Sequence, residues 1–144
     1  MPKFQLITKI DASPERVWAA MVDVEHWADW SETVHSIKRE SDGPFRLGSA
    51  AFADIKGGGP PSTWTVTQFD DRRSFTWESA TRGVKSIAYH AVEADGAGTR
   101  ATLAIRTHGF MGLLFYPMIA ALYRRNVSIE AKGLKRYCEQ PASA

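Results

Sequence analysis

The longest periodic stretch of the chain covers residues 113–139, near its C-terminus. From Pro117 onward no further proline interrupts it, and Gly133 is its only glycine. Apolar side chains recur there at helical spacing, and basic side chains occupy the opposite side. The pattern predicts an amphipathic helix of about 23 residues from Pro117, or roughly 34 Å. Residues 109–116 could form a separate apolar turn joined to it at an angle. Its apolar arc contains Phe115, Ile119, Leu122, Tyr123, Asn126, Val127, Ile129, Glu130, Gly133, Leu134 and Tyr137.

Two polar residues interrupt this arc, Asn126 and Glu130, one helical turn apart. A helix that covers a closed core seldom places an amide and a carboxylate there without a partner or water. We interpret the pair as a first indication that the interior is hollow.

The chain before this helix begins with an alternating segment, residues 3–10, that predicts a first strand. Ser13 and Pro14 then predict the start of a helix, with Ser13 as the N-cap. This helix is expected to end near Asp23, and a short second helical turn over residues 25–30 follows it.

From Thr33 onward the pattern is that of strands joined by short turns, which predicts an antiparallel meander. The turn at residues 57–61 lacks the Lys-Ser/Thr and the helix of a phosphate loop, so we expect a flexible hairpin near a cavity mouth. The predicted fold is α+β, a helix-grip arrangement in which a curved sheet of about seven strands wraps round the long helix. The six later strands are predicted at residues 35–40, 46–56, 62–69, 74–80, 84–94 and 99–107.

Aromatic residues in mid-sheet are the candidates for the inner face of this sheet. Trp27 and Trp30 are expected to plug the seam between the short helices and the sheet. The inward aromatics could line a pocket or fill it, so both outcomes stay open at this point. The candidate ligand-binding residues are Phe52, Trp64, Trp77 and Tyr89 on strands and Phe115, Ile119, Leu122, Asn126 and Glu130 on the helix.

Composition narrows the class of protein. The chain of 144 residues fits one domain, residues 1–144, and its net charge of +2 is too small for a nucleic-acid footprint. The single cysteine, Cys138, excludes an internal disulfide and a cysteine-based metal cluster. The N-terminus lacks a signal-peptide pattern, and the longest uncharged run, residues 109–123, is shorter than the ~20 residues of a membrane span. We therefore expect a cytoplasmic location.

Candidate catalytic groups are few. The four histidines, His26, His35, His90 and His108, show no metal-binding spacing and are expected to be unrelated surface or edge residues. Glu130 in an apolar cavity could act as a general acid or base. The alternative is that Glu130 reaches the cavity mouth or pairs with a strand arginine such as Arg46.

Several short motifs occur in an order and spacing that resembles the START-like, or Bet v 1-like, SRPBCC superfamily, which includes bacterial polyketide cyclase/dehydrase-type proteins. The resemblance covers nearly the whole chain. It implies a cavity under the long helix that binds lipids, sterols, quinones or polyketides, and it carries no catalytic residue to this chain. The motifs are residues 13–18, Asp23, Trp27, Trp30, Gly48, residues 64–70, residues 98–100, residues 109–117 and Leu134-Lys135.

The resulting functional hypothesis is binding or transport of a small hydrophobic ligand, without a cofactor and without nucleic acid. A cofactor-independent polyketide cyclase and a protein-interaction module are the alternatives. An enclosed hollow favours a ligand, and a filled core with an apolar outer patch favours a protein partner. Residues 109–116 are predicted to form a movable lip, which either is a packed connector or touches a membrane transiently. The oligomeric state is not predicted.

Overall fold

The computed structural model describes residues 3–56, 60–81 and 83–140. Strand, two short helices, six strands and a long helix follow one another, so the predicted α+β helix-grip fold is confirmed. The elements are β1 (Lys3–Ile10), α1 (Pro14–Val22), a 3-10 helix (Val24–Asp29), β2 (Val34–Arg39), β3 (Ala50–Ile55), β4 (Ser62–Asp70), β5 (Ser74–Thr81), β6 (Val84–Asp95), β7 (Gly98–His108), α2 (Phe110–Leu114) and α3 (Tyr116–Glu139).

The sheet is antiparallel and its strand order is β1-β7-β6-β5-β4-β3-β2. Consecutive strands from β2 to β7 are neighbours, as short turns require, and β1 returns to pair with β7. The register shifts between Val34 and Ser36 on β2 and between Val66 and Gln68 on β4. Such irregularities bend a sheet and increase its twist. The sheet therefore curls into a half-barrel whose concave face receives α3.

The start of α1 follows the predicted capping pattern. The Ser13 Oγ accepts a hydrogen bond from the backbone N–H of Arg16 at 3.2 Å, and Pro14 occupies the first helical position. Val17 and Met21 lie on the buried face of the helix. The cap fixes where the helix begins, and the buried face fixes how it packs.

The predicted third strand, residues 46–56, is longer than the observed one. Residues 46–49 form a turn in which the Ser49 N–H donates to the Arg46 carbonyl at 2.9 Å. Gly48 has a φ of 87°, a left-handed value outside the extended conformation of a regular strand. The strand therefore begins only at Ala50. Of the predicted hairpin at residues 57–61, Gly57 to Gly59 lie outside the described residues.

The closed part of the core lies at one end of the molecule, between α1, the sheet and the later part of α3. Among its fully buried side chains are those of Ile10, Met21, Phe75, Leu103 and Leu134. Aromatic rings from α1, the β2–β3 loop and the sheet pack edge to face there, which fills this end of the half-barrel. The other end is not filled in this way.

None of the helices in residues 3–56, 60–81 and 83–140 is both long and apolar enough to cross a membrane.

Candidate functional site

A cavity of about 780 Å³ lies between α3 and the concave face of the sheet. This volume falls within the range of roughly 300–1,000 Å³ that is typical of small-molecule sites. The apolar part of its wall comes from tryptophan and small aliphatic side chains of the sheet and from one face of α3. By the criterion stated in the sequence analysis, a hollow of this size favours ligand binding over a protein-interaction role.

Six of the nine candidate ligand-binding residues lie on this wall, two from the sheet and four from α3. Their role in ligand binding stays a prediction. The six are Trp64, Trp77, Ile119, Leu122, Asn126 and Glu130.

The inward placement of Phe52 and Tyr89 was wrong. Phe52 is 46% exposed and Tyr89 is 39% exposed, both on the convex face of the sheet. Because side chains alternate along a strand, Ala53 and Ala88 face the cavity instead. Small inward side chains are what leave the hollow open, whereas inward aromatics at these positions would have filled it.

Phe115 also lies away from the cavity wall. It is an exposed residue between α2 and α3, with φ −100° and ψ 23°, so the two helices are separate. The expected separate turn before the long helix is thus observed, whereas Phe115 was wrongly projected onto the apolar arc of that helix. The break at Phe115 shifts the helical phase for every residue before Tyr116.

A hydrogen-bonding partner for Glu130, His90, was missed from the sequence. The His90 Nε2 lies 3.1 Å from the Glu130 Oε1, and the two side chains are only 5% and 18% exposed. The expectation that all four histidines are surface or edge residues is therefore wrong for His90. The alternative pairing of Glu130 with Arg46 is wrong as well. His90 could have been placed from strand alternation once Ala88 is known to face inward, because side chains two residues apart on a strand share one face.

The His90 ring is packed among aromatic side chains. It stacks on Phe75 at 4.7 Å between centroids and lies 5.2 Å from the Trp27 ring. The His90 Nδ1 is buried and has no hydrogen-bond partner among the described residues. The contact of Nε2 with the Glu130 carboxyl group is therefore the hydrogen bond that orients the ring.

A second polar group lies elsewhere along the cavity. The Tyr123 hydroxyl lies 3.1 Å from the Ser86 Oγ and also contacts the Thr107 Oγ1. Tyr123, Asn126 and Glu130 are spaced by three and four residues, so they form one polar row on α3. The row extends for roughly 10 Å along the helix axis. It faces a wall that is otherwise mainly apolar.

The opening of the cavity is marked by residues that line it and are also exposed. Pro60 before β4, Met118 and Ala121 on α3, and Arg125 one turn later meet both conditions. Glu130 lies roughly 18 Å from Met118 along the helix axis. The His90–Glu130 pair is therefore at the inner end of the cavity.

Within the part of the chain that the structure describes, no group of three or more His, Cys, Asp or Glu side chains could hold a metal ion.

The sequence matches the family described as polyketide cyclase / dehydrase and lipid transport over residues 1–139. The chain belongs to this family. The predicted resemblance to the START-like, Bet v 1-like superfamily is thereby confirmed. No protein of curated function matches the sequence significantly.

Several solved structures share this fold. The protein TTHA0849 from Thermus thermophilus has a TM-score of 0.80 at 20% identity, covering 99% of this chain and 100% of that one. The ZhuI aromatase/cyclase from Streptomyces sp. R1128 has a TM-score of 0.79 at 17% identity, covering 99% and 96%. A START superfamily protein from Mycobacterium smegmatis has a TM-score of 0.75 at 15% identity, covering 96% and 97%. At these identities the likeness establishes the fold alone.

Proposed function

We propose that the protein binds a small hydrophobic molecule with a hydrogen-bonding end inside the cavity. The observation that carries this proposal is the buried His90–Glu130 pair at the inner end of a cavity of about 780 Å³. A purely structural core would have closed over such a space, because empty apolar volume lowers stability.

The walls supply the driving force for the apolar part of the ligand. Trp27, Trp64 and Trp77 face Ile119 and Leu122 across the cavity. Removing apolar surface from water is worth about 25 cal/mol per Å². Broad ring surfaces on the sheet side suit a flat or aromatic ligand body better than a thin chain.

The polar row on α3 supplies orientation. Asn126 and Glu130 keep hydrogen-bonding capacity toward the cavity, and a buried polar group without a partner costs free energy. A ligand with a donor at its leading end satisfies the Glu130 carboxylate, and further oxygen atoms along its edge can meet Asn126 and Tyr123. The ligand therefore enters with its polar end first.

Binding of N-phenyl-1-naphthylamine, a neutral probe that fluoresces in apolar surroundings, tests the location of the site. We expect saturable binding that Ala88→Trp weakens at least about fivefold, because the new ring occupies the cavity. Ala94→Trp is the matched control, since Ala94 lies on the same strand but is exposed. If Ala88→Trp unfolds, Leu122→Trp narrows the cavity from the helix side. Unchanged binding in a folded cavity variant contradicts the proposal.

The second candidate function is polyketide cyclase-type catalysis, which the His90–Glu130 pair favours. Glu130 would take a proton from a carbon flanked by carbonyls, and His90 would hold the carboxylate in place. The resulting enolate carbon attacks a carbonyl carbon of the same molecule, and the oxygen formed takes up a proton. Atoms are conserved in this ring closure, and loss of water can follow it.

Deuterium uptake at the α-carbon of 2-tetralone in D₂O, followed by NMR, tests this second candidate. Catalysis predicts exchange above the buffer rate by about 10²-fold or more, reduced to that rate in Glu130→Gln. Glu93→Gln is the control, because Glu93 is exposed on β6. If Glu130→Gln abolishes turnover of a polyketide-like substrate and leaves binding intact, a pure carrier role is wrong. Exchange at the buffer rate in the wild type would contradict the proposal that the protein catalyses proton abstraction.

A further inference from the structure

The junction of α2 and α3 exposes a cluster of large apolar side chains, which we term the apolar knob. Its members are 42% to 75% exposed, so the expectation of a packed connector is not met. Exposed apolar surface of this kind marks an interaction site more often than chance placement does. The apolar knob consists of Phe110, Leu113, Leu114, Phe115, Tyr116 and Met118.

The knob is attached firmly to the sheet at its base. Gly109 has a φ of 103°, and a Cβ added there would lie 2.3 Å from the Gly83 carbonyl oxygen. The Met111 side chain packs against Gly83, and a Cβ added to Gly83 would lie 3.2 Å from the Met111 Cγ. Residues 113–116 are all exposed in succession. The apolar side chains therefore project in several directions from a fixed base instead of forming one flat face.

The segment of chain that carries the knob has no acidic residue. No Asp or Glu occurs between Gly96 and Ile129, whereas Arg106, Arg124 and Arg125 flank the knob along the chain. Arg125 is exposed and lies two turns after Met118 on the same face of α3, at the cavity opening. No carboxylate of residues 3–56, 60–81 or 83–140 forms a salt bridge with it. Lys56, exposed just after β3, adds a cation at the same end of the sheet.

We propose that the apolar knob docks on an anionic lipid surface. Leu113, Leu114 and Phe110 insert among the headgroups and upper acyl chains, and Arg125 faces the anionic headgroups. A fluid bilayer can surround side chains that project in several directions, whereas a protein partner would need a preformed concavity of matching shape. Docking in this orientation sets the cavity opening, at Met118, against the membrane.

Sedimentation with vesicles tests this proposal without any knowledge of the cavity ligand. We expect saturable binding to vesicles of phosphatidylcholine with one quarter phosphatidylglycerol, and weaker binding to pure phosphatidylcholine. Leu113→Asp should lower the affinity at least about tenfold, because it places a charge in the inserted face. Leu47→Asp is the matched control: Leu47 is 62% exposed against 64% for Leu113, but it lies at the opposite end of β3. The control should stay within about twofold of the wild type.

Arg125→Gln separates the electrostatic part of the interaction. One cation near an anionic surface is worth about fivefold in affinity, so the loss should appear with phosphatidylglycerol vesicles and vanish with pure phosphatidylcholine. Thermal unfolding of each variant checks that the fold persists. No saturable vesicle binding, or equal losses in Leu113→Asp and Leu47→Asp, overturns the proposal. It is equally overturned if the protein self-associates through the knob, with Leu113→Asp dissociating the oligomer and vesicles leaving it unaffected.

Discussion

The two halves of α3 have opposite environments. All of its buried residues come from the second half, beginning at Val127 and ending at Cys138. Residues 116–126 contain none, and their inner face roofs the cavity. One helix thus serves as an anchor at its C-terminal end and as a cavity wall at its N-terminal end. The anchor half also supplies Val127 and Glu130 to the inner end of the cavity, so the two roles meet at that turn.

Close contacts and hydrogen bonds hold the anchor half. A Cβ added to Gly133 would lie only 1.9 Å from the Trp30 carbonyl oxygen, so the helix crosses the chain there at close range. The Arg16 guanidinium donates to the Cys138 carbonyl at 2.6 Å and to the Tyr137 carbonyl at 3.2 Å. These bonds satisfy carbonyls that a helix end leaves free. Burial raises the pKa of the Cys138 thiol to about 11, so the thiol stays protonated near neutral pH.

Gly133→Ala should give the largest effect on stability. The added methyl group meets a backbone carbonyl that cannot move aside, so the helix must shift as a whole. We expect a loss of about 4 kcal/mol in the free energy of unfolding, measured with urea. Ser128→Ala on the same helix is the control and should change it by less than about 0.5 kcal/mol. A Gly133→Ala protein of wild-type stability would show that the close approach to Trp30 is absent.

Paired leucine truncations compare the two halves directly. Leu134 is fully buried in the anchor, whereas Leu122 is half-buried and faces the cavity. Leu134→Ala should cost about 3 kcal/mol of unfolding free energy and leave binding of N-phenyl-1-naphthylamine unchanged. Leu122→Ala should cost about 1 kcal/mol and change the probe affinity. Equal stability losses, or equal effects on the probe, would remove the distinction between anchor and roof.

Arg16→Met removes the hydrogen bonds at the helix end and keeps most of the side-chain stem. We expect a loss of about 1.5 kcal/mol in unfolding free energy, because the carbonyls at the end of α3 lose a charged donor. Arg124→Met provides the comparison from the roof half. Arg124 lies over the Phe4 ring at 6.0 Å, a contact worth little at an exposed site. If both variants unfold at the same urea concentration, the capping account is incorrect.

The smallest expected effect concerns pH. The hydrogen bond from Lys135, followed by the backbone N–H of Asp11, lowers the pKa of Glu139 below its ordinary value. A carboxyl with a lower pKa in the folded state stabilises the fold above the unfolded pKa of about 4.3 and loses this contribution as pH falls through the folded value. Glu139→Gln should therefore be slightly less stable than the wild type at pH 7. The difference should vanish at low pH, and a constant difference would contradict the assignment.

The order of elements followed from the sequence because each depends on local patterns. The Ser13 cap, the turn residues and the amphipathic period of α3 act over a few positions. The sequence did not indicate which face of β3 and β6 is directed inward, since both faces of these strands carry apolar side chains. Phe52 was preferred to Ala53, and Tyr89 to Ala88, because large apolar residues are usually inside. A fold built around a hollow reverses that preference.

The polar end of the candidate site could be foreseen only in part. Asn126 and Glu130 could be recognised as polar residues on an otherwise apolar helix face. His90 was not, because its contact with Glu130 joins positions 40 residues apart and depends on how α3 crosses the sheet. Helix crossing geometry is set by tertiary packing, which periodicity does not specify.

The most direct test of the account is a calorimetric comparison of 2-naphthol and 2-methoxynaphthalene, which differ in their ability to donate a hydrogen bond. The wild type should bind 2-naphthol at least about tenfold more tightly, since hydrogen bonds to a charged group are worth about 1.5–3 kcal/mol. In Glu130→Gln, where the amide oxygen can still accept from His90, the ratio should fall to about twofold. A ratio that is the same in both proteins, or no binding of either compound, would contradict a ligand whose polar end meets Glu130.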